Sequence, residues 1–244
     1  MKTNIVAIGG GDIRLGETLA IDQLIVSESG KPNPRLLFIP TASSDSASYI
    51  TEVEKYFGNL GCSVDTLHLI AEKPSRKIIE ETITSADIIY VGGGNTLKMM
   101  THWRRLGIDK LLHQAHKRGT MLSGISAGSI CWFAYGNSDS RKFKNPEADL
   151  IRVTGLGFIP ALHCPHYHKE ADRKNSLKEM TRKTGNVAIA IDDRAALQVK
   201  GDMCRVVQAA PMAHAYKAYW KRGVFYEEKL SIQEFRPLVE LIEK

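Results

Sequence analysis

The chain has 244 residues, 43% of them apolar and 25% charged, the balance of an ordinary soluble globular protein with enough length for one α/β domain or two small ones. Its net charge of +6 comes from 33 Lys plus Arg against 27 Asp plus Glu, spread without a dense basic stripe. That distribution argues against a nucleic-acid surface and suits anionic small substrates better.

No run approaches 18 apolar residues, so no transmembrane helix and no membrane partner are expected. The start, MKTNIVAIGGG, has no long apolar stretch ahead of a cleavage site, so no signal peptide is expected either. Cys62, Cys131, Cys164 and Cys204 are scattered and form no C-x-x-C pair, which points to a reducing, cytoplasmic setting.

In chain order, Asn4 to Gly11 reads as a buried strand ending in a glycine turn, and LGETLAIDQLIVSES as a helix stopped by Gly30. RLLFIPTAS is a second strand, SASYITEVEKYFGNLG a helix ending near Gly61, and CSVDTLHLI a third strand. SRKIIEETITSA is helical, DIIYVGGGN is a strand running into three glycines, and Thr96 to His116 is one long helix or two short ones. GTMLSGIS is a strand and AGSICWFAYG the helix after it. GFIPALHCPH then reads as strand and loop, Lys169 to Lys183 as a helix, and VAIAIDD, AALQVKG and CRVVQAA as short strands. Ser231-Ile-Gln-Glu234 has the spacing of a capping box opening a terminal helix.

Strands alternating with helices predict one α/β domain over 1–244: a single doubly wound, mostly parallel sheet with helices on both faces. Ligands of such sheets bind beyond the carboxyl ends of the strands. Gly9–Gly11, Thr41–Ser44, Gly92–Asn95, Gly124–Ser129 and His163–His168 are expected to gather at that edge.

Gly124-x-Ser126-x-Gly128 between a strand and a helix matches the nucleophile elbow, a strained turn that lifts a serine hydroxyl above the sheet at a helix N-terminus. A serine nucleophile needs oxyanion donors and a base. The N–H of Ala127 is in the usual place for one donor, and Gly94 in VGGGNT can supply a second, flanked by Gly93 and Asn95 as substrate-binding positions. His163, His166 and His168 follow an apolar strand, and any of them can be the base; a metal site on the three is the competing reading. Asp192 and Asp193, closing VAIAI, are candidates for the acid that orients the imidazole, or simple turn formers.

With GGG in the first strand, VGGGNT, GISAGS 32 residues from Gly94 to Ser126, and the PHY and IDD segments, the chain from Asn4 to about Leu197 resembles the peptidase E family, serine peptidases that include aspartyl dipeptidases and cyanophycinases. The resemblance implies a Ser-His-acid hydrolase on a flavodoxin-like sheet akin to class I glutamine amidotransferases, although those carry cysteine where Ser126 stands. It implies Ser126 as nucleophile, His166 as base and Asp193 as acid, with Asp139 the other acid it suggests, Gly94 and Ala127 as oxyanion donors, and no metal or cofactor. Cys164 stands where the family has asparagine, and Asp193 where relatives often have glutamate. Arg173 is the position implied for a clamp on an N-terminal aspartate; cleavage of another short peptide or isopeptide is the other outcome. A small peptide substrate and a monomer or homodimer complete the expectation, with a non-catalytic ligand-binding protein on the same fold as its rival.

Overall fold

Five parallel strands, four of them apolar runs, set the centre of the fold. In the computed structural model, which describes residues 3–244, they are β1 (Asn4–Ile8), β2 (Arg35–Ile39), β3 (Ser63–Thr66), β4 (Ile88–Val91) and β5 (Met121–Ile125). These pair in parallel in the order β3-β2-β4-β5-β1. Strands β1, β2, β4 and β5 are buried on both faces, which is why they read as continuous rather than alternating apolar segments.

Alternate side chains along each strand enter two different cores. Val6, Ile8, Leu36 and Phe38 pack with Ile21 and Ile25 of α1 (Leu19–Glu28) and with Ile50, Val53 and Phe57 of α2 (Ala47–Asn59). Ile5, Ala7, Leu37 and Ile39 pack with residues of α3 (Arg76–Ser85), α4 (Thr96–Leu106) and α5 (Ile108–Arg118). The Thr96 to His116 stretch is therefore two helices, parted at Gly107, whose φ of +71° ends α4 in a left-handed cap.

The α/β class and the flavodoxin-like parallel core are as expected, but the strands divide into two sheets rather than one. The cause lies just after β5. The expected helix AGSICWFAYG is a single turn, α6 (Ala127–Ile130), and Phe133 onward is strand β6 (Phe133–Ser138). A short apolar run does not distinguish a buried strand from a buried helix by periodicity.

With no crossover helix to return it, the chain starts a second sheet: β7 (Ile151–Thr154), β8 (Ile159–Cys164), then α7 (Arg173–Thr184) and β9 (Ala188–Ile191). β10 (Ala195–Lys200) and β11 (Met203–Gln208) rejoin the first sheet antiparallel beside β1. A hairpin unseen in the sequence, β12 (Ala215–Lys221) and β13 (Val224–Lys229), closes the second sheet, whose order is β13-β12-β9-β8-β6-β7. The capping box does not form: Ile232 bridges to Val206, Ser231 Oγ accepts from Arg236, and the terminal helix α8 (Leu238–Ile242) starts after β14 (Arg236–Pro237).

The four cysteines are buried and unpaired. No helix among the described residues is long and apolar enough to cross a membrane.

One polar group sits inside the α1–α2 core. Asp22 is fully buried and accepts hydrogen bonds from Thr18 (2.7 Å) and Tyr56 (3.0 Å), while its other oxygen has no partner among the described residues. Burial pushes its carboxyl up to about 7, against the two hydrogen bonds that favour the anion. Because the folded value is raised, its stabilising effect is full below the unfolded value of about 4 and is lost as pH rises toward 7. Asp22→Asn is therefore expected to stabilise the fold at pH 8 by about 1–3 kcal/mol and to be near neutral at pH 4. Urea unfolding at both pH values measures this; equal effects at the two would refute it.

Candidate active site

The two-sheet architecture decides which side chains meet. Ser126 follows β5 of the first sheet, His166 follows β8 of the second, and Asp192–Arg194 is the three-residue link by which the chain passes from β9 to β10. The link is stitched to the end of β1: Gly10 bridges to Asp193, and Arg194 N–H donates to Gly10 O at 2.8 Å. His166 N–H donates to Gly9 O at 3.3 Å.

At the elbow, Ser126 has φ 57° and ψ −114°, a conformation that costs of order 1–3 kcal/mol for a side chain other than glycine. Its N–H donates to Ile8 O (3.1 Å), and its carbonyl accepts from the N–H groups of Ser129 and Ile130 (3.0 Å each). The flanking glycines are dictated by packing. A Cβ on Gly124 falls 2.4 Å from Gly128 O, and one on Gly128 falls 2.0 Å from Val91 O. With α6 only one turn long, little macrodipole acts on the serine.

Ser126 Oγ lies 2.9 Å from His166 Nε2, and His166 Nδ1 lies 2.5 Å from Asp193 Oδ1. The second oxygen of Asp193 accepts from Lys169 Nζ at 2.7 Å. Burial opposes the charge on Asp193, yet the hydrogen bonds from His166 and Lys169 outweigh it and hold the carboxyl below its ordinary value. The same contact raises the Lys169 ammonium. Ser126, His166, Asp193 and Lys169 thus form one continuous hydrogen-bonded chain.

The other acids proposed from the sequence do not join it. Asp139 is 3.8 Å from Arg173 and bonds no histidine; Asp192 accepts from His168 Nδ1 (2.8 Å) and from the N–H groups of His168 and His214. His163 is also elsewhere. Fully buried, it contacts Ser129 Oγ (2.8 Å) and Ile189 O (2.9 Å), and burial pushes its imidazole down to about 3, so it is neutral. The three histidines of the 163–168 segment face three different partners rather than a common centre.

Arg173 corrects a further expectation. Its guanidinium is buried, donating to Glu170 (2.6 Å) and to the carbonyl of Asn137 (2.7 Å), with Asp139 beyond. An arginine so enclosed is a strut between the histidine loop and the end of β6, not an open clamp for a substrate carboxylate.

The oxyanion candidates differ in their commitments. The N–H of Gly94 and of Ala127 finds no acceptor among the described residues, whereas Gly93 N–H lies 3.4 Å from the Tyr49 hydroxyl. Gly93 abuts the serine, an added Cβ coming to 3.5 Å from Ser126 Cβ. Gly94 has φ +135°, and a Cβ there falls 2.3 Å from Ala42 O, so only glycine fits. Asn95 does not face the site: it caps α4 by accepting from Lys98 N (2.9 Å) and donates to Ser140 O (3.0 Å).

Two participants escaped the sequence reading. Lys169 gave no signal beyond its three-residue offset from His166, which the turn Lys169 N to His166 O (3.2 Å) converts into a shared direction. Gly10 was visible only as part of a glycine turn. An added Cβ there falls 2.0 Å from Asp193 Oδ1 and 2.4 Å from His166 Nδ1, so the missing side chain is the space the His–Asp pair occupies. Beside His166 and Lys169 opens a cleft of about 500 Å³, walled by Tyr49, Tyr90 and Ile125.

The sequence profile of Peptidase family S51 matches residues 5–207. The "Uncharacterized peptidase YgaJ" of Bacillus subtilis (strain 168) is 37% identical over 216 residues, 87% of this chain and 90% of that protein. A "Peptidase E" of Streptomyces coelicolor is 26% identical over 69% of each. A crystal structure of a peptidase from an acI-B1 Actinobacterium shares the fold with a TM-score of 0.71 at 21% identity, over 97% of both chains. A putative peptidase E protein from Listeria monocytogenes EGD-e does so with a TM-score of 0.66 at 20% identity, over 85% of this chain and 99% of that one. With the profile spanning most of the chain and the Bacillus relative nearly full length, the protein belongs to peptidase family S51 and is a peptidase.

Proposed function

We propose that this peptidase is of the serine type and cleaves a short peptide or isopeptide with Ser126 as nucleophile, His166 as general base and acid, and Asp193 as the orienting carboxylate. The observation that carries the reading is the hydrogen-bonded order Ser126–His166–Asp193 on a strained strand-to-helix turn. His166 Nε2 takes the hydroxyl proton as Oγ attacks the carbonyl, and Asp193 stabilises the resulting imidazolium through Nδ1–H. The N–H groups of Gly94 and Ala127 receive the charge of the tetrahedral oxyanion. His166 then gives the proton to the departing amine, and water releases the acyl group by the same steps in reverse order. Specificity for N-terminal aspartate loses its proposed anchor, since Arg173 is enclosed.

The reading is tested by a fluorophosphonate probe followed by peptide mapping. Labelling at Ser126, abolished when His166 is replaced by alanine, is the expected result. A folded protein that stays unlabelled would overturn the serine mechanism.

The packing at Gly10 supplies a second check. Gly10→Ala is expected to push His166 and Asp193 apart and to lower kcat by about 100-fold, as displacements near 1 Å do, while KM changes little. Steady-state kinetics on any cleaved peptide measures it, and wild-type kcat in a folded G10A variant would contradict the geometry.

A further inference from the structure

The loop that carries Gly94 ends at Asn95, and the surface just past it is a recess of about 870 Å³ running between α4 and the 140–148 segment. Its charge is one-sided. Lys98, Arg105, Arg141 and Lys144 line it, and no carboxylate does. Some of the protein's other cations are matched to carboxylates, as in Lys31–Asp87, Lys142–Asp172 and Lys174–Glu227. Here Lys98 donates to Ser44 Oγ (2.8 Å) and Arg105 to His102 Nδ1 (3.1 Å), and none of the four cations lies within 4.0 Å of a carboxylate among the described residues.

Four unpaired positive charges around one hollow repel one another, and the field they project is strongest inside it. A bound anion removes that repulsion. The volume lies within the range that encloses a drug-sized ligand, larger than one acidic side chain needs. The recess also adjoins the reaction centre: Asn95 follows Gly94 directly, and the recess wall at Leu97 and Ser140 is tied to the same loop by Leu97 N to Ser140 Oγ (2.9 Å) and Asn95 Nδ2 to Ser140 O (3.0 Å). A substrate that extends past Gly94 along this loop runs toward the recess.

We propose that this recess binds carboxylate side chains of the substrate remote from the scissile bond, so that the enzyme favours acidic peptides longer than a dipeptide. The inference rests on the peptidase activity at Ser126, and its location is separate from Arg173. Exposed charge pairs are individually weak, so the effect is a preference rather than an absolute requirement.

The test uses a cleaved peptide made in matched forms with Glu or Gln at positions flanking the scissile bond. The Glu form is expected to have kcat/KM about 10-fold higher, through KM, and to lose that advantage at about 0.5 M NaCl. Arg141→Glu with Lys144→Glu is expected to abolish the Glu preference while leaving cleavage of the Gln form within about twofold. An equal preference in wild type and this double variant overturns the proposal. If no peptide is cleaved, the peptidase mechanism fails on its own, and fluorescence anisotropy of a labelled Glu-rich peptide on Ser126→Ala then decides the recess: binding lost on charge reversal supports it, and no binding overturns it. Pyrophosphate bound at the recess in preference to the Glu-rich peptide assigns it to phosphate anions and likewise overturns the proposal.

Discussion

Ser126→Ala is expected to lower kcat by about 10^5 to 10^6 and to leave a folded protein that still binds its substrate, with KM within a few-fold of wild type. Two features of the structure make the change clean. Among the described residues the hydroxyl hydrogen-bonds only to His166, and the backbone geometry of the elbow is enforced by Ile8, Ser129 and Ile130 through main-chain contacts that alanine keeps. The φ of 57° is as costly for alanine as for serine, so stability should change little. The residual rate should resemble that of any variant that retains the N–H groups of Gly94 and Ala127, because those donors survive the substitution. His166→Ala should reach a similar floor, and the double variant should fall scarcely further, since residues that act as one unit are not additive. Full peptide hydrolysis by Ser126→Ala would end the serine mechanism.

How far the site could be read from the chain depended on whether a signal was local. Gly124-x-Ser126-x-Gly128 is written in five consecutive residues, and the glycines are required by their close approach to each other and to Val91 of β4. β1, β2, β4 and β5 were legible for the same kind of reason: buried parallel strands are short, continuous and apolar, whereas the edge strand β3 (SVDT) is half exposed. The distribution of strands over two sheets was not, because it turns on where the apolar run after Ser126 stops being helical, and ICWFAYG satisfies either periodicity. His166 and Asp193 needed the family resemblance, since their meeting is a product of the seam between the sheets and leaves no spacing rule in the sequence. Arg173 failed for a complementary reason. A helical arginine is usually solvated, but here Glu170 and the Asn137 carbonyl draw it into the interior, and both partners are settled by tertiary packing. Gly10 is the most instructive miss, since its role is the absence of an atom, visible only once its neighbours across the seam are placed.

Asp193→Asn tests that seam most directly. It is expected to lower kcat by about 10^3 to 10^4 with little effect on KM, the scale seen when an orienting carboxylate is neutralised and the imidazole takes the wrong tautomer. An asparagine that turns its NH2 toward Nδ1 leaves the proton on Nε2, where it cannot accept from Ser126; one that turns its oxygen keeps the tautomer but withholds the charge that stabilises imidazolium. Lys169 aggravates either case. Its ammonium, now hydrogen-bonded to Asp193 Oδ2 at 2.7 Å, would stand beside His166 without that bonded carboxylate and oppose imidazolium formation further. Asp139→Asn and Asp192→Asn are the controls. Among the described residues the Asp139 carboxylate pairs only with Arg173, and Asp192 serves His168 and the His214 N–H, so each should retain kcat within about 10-fold. Steady-state kinetics of the three variants on one peptide settles the acid. A loss at Asp139 equal to that expected for Asp193, with Asp193→Asn near wild type, would move the carboxylate to the end of β6 and require the histidine loop to swing toward it. The opposite result ties catalysis to the three residues through which the chain passes from one sheet to the other, and gives that crossing a chemical reason to be as short as it is.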